Sequence, residues 1–246
     1  MSSTTLTQHS LTGQAYGYSA ADLGDLGATE YTLVTMVVDG SGSVSAFKDE
    51  IETCIQEVVK ACKYSPRSDY LLIRLIVFNS DMKEIHGFKQ LIDCDINDYK
   101  DCIHPSGTTA LFSTARNAIT ATNDYGKQLA DNDFEANAIV FILTDGMDNE
   151  SGSIDSSSVG AALKDAMRDE ALESIVSILV GVGIGDSYNV GDYLDTFKDE
   201  AGLNQYVEIK NATEKTLAKL ADFISKSVSS QSKALGSGSM SQQLTF

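Results

Sequence analysis

Five oxygen-bearing side chains in three separate segments have the types and the setting to hold a hard cation. Asp39, Ser41 and Ser43 occupy alternate positions of Asp39-Gly40-Ser41-Gly42-Ser43, directly after the apolar run Leu33–Val38. Thr108 lies in Ser106-Gly107-Thr108-Thr109, and Asp145 lies in Thr144-Asp145-Gly146, directly after the apolar run Ile139–Leu143. Alternate residues in a tight loop can turn toward one point, and Gly40 and Gly42 permit close backbone approach. Carboxylates and hydroxyls with no histidine or cysteine ligand beside them favour Mg2+, with Mn2+ or Ca2+ as alternatives.

The elements that must position these residues alternate along the chain. Tyr31–Asp39, Tyr70–Phe78, Asn137–Thr144, Ser174–Gly181 and Gln205–Ile209 read as strands. Their continuous apolar runs suit a sheet covered on both faces. Phe47, Ile51, Ile55, Val58, Val59 and Cys62 recur at helical spacing. Thr109–Ala130, Ser158–Glu173 and Thr213–Val228 read as further helices, the last capped by Asn211 or Thr213. Lys83–Leu91 reads as a short edge strand. The expectation is an α/β fold with a doubly wound, mostly parallel central sheet flanked by helices on both faces. Ligands of such sheets bind beyond the carboxyl ends of the strands, where Asp39 and Asp145 fall. The expected organisation is an extended arm over 1–30, one domain over 31–228, and a flexible Ser/Gly/Gln-rich tail over 229–246. The tail ends in an apolar Leu-Thr-Phe, which reads first as a frayed terminus, with a docking peptide as the alternative.

The set Asp39-x-Ser41-x-Ser43, Thr108 and Asp145 resembles the metal-ion-dependent adhesion site of von Willebrand factor type A domains. The resemblance spans roughly residues 31–228, in the order of the motifs and of the strands and helices around them. It implies the Rossmann-like fold of that family. It also implies direct coordination by Ser41 and Ser43, and a Thr108 that binds directly or through water. Asp39 and Asp145 would act largely through water or hydrogen bonds. The implied function is protein recognition: a Mg2+ at the carboxyl ends of the strands accepts an Asp or Glu from a protein partner. The chain looks most like the intracellular bacterial branch, including the von Willebrand A proteins associated with tellurium resistance. That branch implies a place in a bacterial stress-response or defence complex.

The main rival is a Mg2+-dependent phosphoryl-transfer enzyme using Asp39. The Asp-x-Asp of haloacid-dehalogenase-like phosphatases resembles the local setting, but Ser41 replaces the second acid. His9, His86 and His104 are scattered, and no Ser/His/Asp or Cys/His set stands out, so no catalytic residue is expected. Gly181-Val182-Gly183-Ile184-Gly185 departs from a dinucleotide-binding GxGxxG and reads as a tight turn. Asp148 and Glu150 read as solvated rim residues.

Across the 246 residues, 18 Lys+Arg against 35 Asp+Glu leave a net charge of −17, which opposes binding to nucleic acid or anionic membrane. No stretch approaches the roughly 20 apolar residues of a membrane helix. Met1–Ser10 is polar, without the basic and apolar regions of a signal peptide. Cys54, Cys62, Cys94 and Cys102 form no CxxC pair and are expected as free thiols. The expected location is cytoplasmic.

Overall fold

The computed structural model describes residues 5–185, 188–239 and 244–246. Its strands are β1 (Leu6–His9), β2 (Tyr18–Ala21), β3 (Glu30–Asp39), β4 (Leu71–Phe78), β5 (Met82–Gln90), β6 (Glu135–Thr144), β7 (Ile175–Val182) and β8 (Gln205–Ile209). The helices are α1 (Lys48–Lys63), α2 (Leu111–Ala130), α3 (Ser156–Arg168), α4 (Tyr188–Ala201) and α5 (Glu214–Ser237). The strands form one sheet in the order β1-β2-β5-β4-β3-β6-β7-β8.

From β4 through β8 by way of β3, β6 and β7, every pairing is parallel. The chain leaves β3 toward β4 on one side, and β6 later fills the other side. This reversal opens a crevice at the carboxyl ends of β3 and β6, the usual ligand position in doubly wound sheets. α1 and α5 cover one face, around Val34, Met36, Val38, Ile139 and Phe141. α2, α3 and α4 cover the other, around Leu33, Val37, Val140 and Ile142. Successive residues of β3 and β6 therefore feed opposite cores, which is why both strands read as largely apolar runs.

The structure differs from the sequence expectation in four places. The first concerns the segment expected as an arm over 1–30. Within it, β1 pairs antiparallel with β2, and β2 joins β5 at Ala20 opposite Phe88. Buried Arg74 and the half-buried Glu84 hold it there: the Arg74 guanidinium donates to Glu84 at 2.7 Å, and Glu84 accepts the Ser19 hydroxyl at 2.6 Å. Gly87 permits the approach, since a Cβ at that position would stand 1.9 Å from the Ser19 carbonyl oxygen. The second concerns β5, which consequently lies inside the sheet; it runs antiparallel to β4.

The third difference is α5, which continues past Val228 to Ser237 and stops at Gly238 in the left-handed conformation. Its polar last turns are buried through tertiary bonds. Arg67 Nε donates to Ser232 Oγ at 3.0 Å, and Asn137 Nδ2 donates to the Gln231 carbonyl at 2.9 Å. Of the expected tail, 240–243 lie outside the described residues, and Phe246 meets the Phe223 ring edge-on at 5.6 Å. The fourth is α4, which the sequence reading omits; Leu194, Phe197 and Ala201 bury its inner face.

Thr213 caps α5 through a capping box with Thr216. Of the glycine run expected as a tight turn, Gly181 and Val182 still belong to β7, and the chain turns after them, with Gly183 and Gly185 at positive φ. All four cysteines are buried free thiols. Among the described residues no helix is long and apolar enough to cross a membrane.

Candidate metal centre

Register alone brings Asp39 beside Thr144. Val38 lies opposite Leu143 in the β3–β6 ladder, so the next residue of each strand meets at the sheet end. Thr144 Oγ1 donates to Asp39 Oδ2 at 2.6 Å, and the Ser41 amide donates to Asp39 Oδ1 at 2.8 Å. Both carboxylate oxygens are thus engaged, and Asp39 is 1 % exposed. The chain then turns away from the strand. Gly40 N donates to the Phe78 carbonyl at 2.6 Å, and a Cβ on Gly40 would stand 2.8 Å from Val77 Cγ1.

The serines continue the network outward. Ser43 Oγ donates to Asp145 Oδ1 at 2.9 Å. Ser41 Oγ lies 3.1 Å from Ser43 Oγ. Because the Ser43 proton is committed to Asp145, Ser41 is the donor in that pair. Asp39, Ser41 and Thr144 form a buried floor, Ser43 an exposed rim, and Asp145 lies between them.

Thr108 reaches this group through its loop. Gly42 N donates to the Gly107 carbonyl at 3.3 Å, and Ser106 N donates to the Gly40 carbonyl at 3.0 Å. Gly107 has φ +70, a conformation that favours glycine. The Thr108 hydroxyl, however, donates to Glu150 Oε2 at 2.8 Å. The structure therefore joins Asp39, Ser41, Ser43 and Asp145 in one hydrogen-bonded group. It sets Thr108 in the adjoining loop, bonded to an acid that the sequence reading assigned to solvent.

That acid belongs to a stitched loop. The Thr109 amide donates to Asn149 Oδ1 at 2.7 Å, and Asn149 N returns a bond to the Thr109 carbonyl at 3.0 Å. Phe112 N donates to Asp148 Oδ2 at 2.9 Å, and Ser113 N donates to Ser151 Oγ at 2.9 Å. Ala110 has no capping side chain of its own, so Asp148 and Ser151 cap α2 from the loop after β6. Asp148 is a structural cap rather than a solvated rim residue. Asp148→Ala should cost about 1–2 kcal/mol, the range for a lost helix cap. Chemical denaturation checks the size, and faster amide exchange at Phe112 checks the cause.

On the other flank, Glu52 is buried and accepts the amides of Asp101 and Ile103 at 2.9 Å each, fixing the chain that leads to Thr108. Its position on the apolar side of α1 is an audible sequence signal, since a charge there requires partners.

Burial pushes both aspartates up. For Asp39, burial outweighs the bonds from Thr144 and Ser41 that pull the other way. Asp145 rises to about 6, through burial first, with Ser43 opposing and the Asp39 charge adding. Among the described residues neither is ion-paired with a lysine, arginine or histidine. A buried and a partly buried acid of like charge, joined by hydroxyls and lacking a protein cation, suit a hard dication. Among the described residues no group of three or more His, Cys, Asp and Glu is arranged for a metal, so the donor set relies on hydroxyls.

A doubly wound sheet with a cation-type oxygen cluster at its switch point defines the class. The von Willebrand factor type A domain model matches residues 34–222, and the chain belongs to that family of metal-dependent adhesion and interaction modules. A search of curated proteins finds no match. Among solved structures, the PilB minor pilin from Streptococcus sanguinis is similar, at 16 % identity and a TM-score of 0.57, covering 82 % of this chain and 62 % of the pilin. The pilus adhesin SpaC from Lactobacillus rhamnosus GG, in an open conformation, gives 12 % identity and 0.53, covering 90 % and 33 %. Proximal thread matrix protein 1 of the mussel byssus, with a zinc-occupied MIDAS motif, gives 18 % and 0.50, covering 82 % and 46 %. At these identities the likeness is one of fold. The chain spans less than two thirds of each of these proteins.

Proposed function

We propose that this chain is a metal-dependent protein-recognition module rather than an enzyme. Asp39, Ser41, Ser43, Thr108 and Asp145 hold a divalent ion, Mg2+ before Mn2+ or Ca2+. An Asp or Glu of a protein partner completes its oxygen shell. The carrying observation is the pairing of buried Asp39 with partly buried Asp145, linked through Ser41 and Ser43 with no protein cation beside them among the described residues. When bound, the ion supplies a Lewis-acidic position that a carboxylate oxygen can fill. The serine hydroxyls set its location, and the aspartates set the charge. The mussel protein's motif holds zinc. The all-oxygen donors here favour the harder ions.

Asp39 is poorly placed as a phosphoryl acceptor, being 1 % exposed with both oxygens occupied by Ser41 and Thr144. That geometry argues against the phosphoryl-transfer reading. Four buried free thiols support a reducing, cytoplasmic setting. A role in a bacterial stress-response or defence complex, in the tellurium-resistance branch, rests on the sequence resemblance.

Capture from the source organism's lysate tests the reading in three arms: with Mg2+, with EDTA, and with Ser43→Ala in Mg2+. The expected result is a partner retained only with Mg2+ and intact Ser43. A partner retained equally in all three arms refutes metal-bridged recognition.

A further inference from the structure

We propose that Glu150 is a built-in carboxylate of this site, occupying in the partner-free protein the position that a partner's acidic side chain takes on binding. The inference rests on the metal-site reading above and adds a residue and a mode of regulation to it.

Among the described residues the Thr108 hydroxyl bonds to none of Asp39, Ser41, Ser43 and Asp145; it donates to Glu150, at 2.8 Å. Glu150 does not arrive there by free motion of a surface loop. Asn149 before it is bonded in both directions to Thr109, and Ser151 after it accepts the Ser113 amide. Asp148 fixes the same loop to the first turn of α2. A carboxylate flanked by two such anchors is delivered to one hydroxyl.

Its charge is also uncompensated by the protein. Among the described residues no lysine or arginine is paired with Glu150, in a chain whose net charge is already −17. Glu150 follows Asp145 in the same loop and touches the site through the Thr108 hydroxyl. Glu150 and Thr108 are both exposed, so the acid can leave when another carboxylate replaces it. The consequence is a threshold: partners must out-compete an intramolecular acid held at high effective concentration.

Mn2+ is the probe, titrated into the wild type, Glu150→Gln and Asp145→Asn by calorimetry, with water proton relaxation reporting the waters on the bound ion. Gln keeps an acceptor for Thr108 and removes the charge, at an exposed position that leaves the fold unchanged. The expected result for Glu150→Gln is an affinity roughly tenfold weaker, with one more water on the ion and affinity recovered by excess acetate. Unchanged affinity and water count in Glu150→Gln, with binding lost in Asp145→Asn, overturns the role of Glu150 and leaves the metal site standing. Full affinity in Asp145→Asn as well overturns both.

Discussion

Asp145→Asn will make the metal-free protein more stable at pH 7.5 while removing its response to Mg2+. Burial is the main reason the Asp145 carboxyl titrates near 6 instead of at its ordinary value, with the Asp39 charge adding to it and Ser43 opposing. A carboxyl whose folded pKa is raised leaves stability untouched below the unfolded pKa, near 4. It lowers stability progressively between about pH 4 and pH 6, and the whole penalty is present above that window. The full shift corresponds to about 3 kcal/mol, but Asp145 is partly open to water, and screening reduces this to about 1 kcal/mol. The isosteric amide removes that penalty. In EDTA, the variant should therefore melt about 2–4 °C above the wild type at pH 7.5, converging with it by pH 4.5.

Mg2+ reverses the order. An ion that binds only the folded wild type at a hundred times its Kd adds about 2.7 kcal/mol, and the amide forfeits that gain. Thermal melts at both pH values, with EDTA and with Mg2+, give four comparisons. A variant less stable than wild type in EDTA would show that the Ser43 bond outweighs burial. An equal Mg2+ response in both proteins would remove Asp145 from the site.

The legibility of this site in the sequence follows the type of force involved. Asp39 and Asp145 stand out because each follows a largely apolar run, and those runs exist because β3 and β6 are covered on both faces. Thr144 passes unnoticed: it contacts Asp39 only once the β3–β6 register is set, and no local pattern encodes that register. Glu150 and Asp148 are ordinary acids of a polar loop, and their roles arise from the Thr108 hydroxyl 42 positions away and the Phe112 amide 36 positions away along the chain. The end of α5 fails for the same reason. Ser-Ser-Gln-Ser composition signals a tail, whereas the order comes from Arg67 and Asn137. α4 is a different kind of miss, because Val190, Leu194, Phe197 and Ala201 carry a readable helical period soon after the glycine run that reads as a tight turn.

The N-terminal strands depend on one buried ion pair, and Arg74→Met should expose that dependence. Arg74 sits in β4 with 0 % exposure, and burial pulls its guanidinium down while Glu84 holds it up. Its Nη2 reaches the Gly17 carbonyl and Asn117 Oδ1, both at 3.4 Å, and Glu84 accepts the Ser19 amide at 3.0 Å. Methionine fills much of the volume but leaves Glu84 as an unpaired charge against Ser19. Breaking a buried pair from one side costs about 3–5 kcal/mol, whereas replacing both partners is often close to neutral. Arg74→Met should therefore lose about 3 kcal/mol or more in denaturant unfolding, and Arg74→Met with Glu84→Gln should recover most of it. Hydrogen exchange across Leu6–Ala21 should quicken in the single variant, with Mg2+ affinity unchanged because the pair lies on the β5 flank, away from β6. A loss below about 1 kcal/mol in the single variant would mean that the Ala20–Phe88 pairing and the apolar packing of Tyr18 hold these strands without the ion pair.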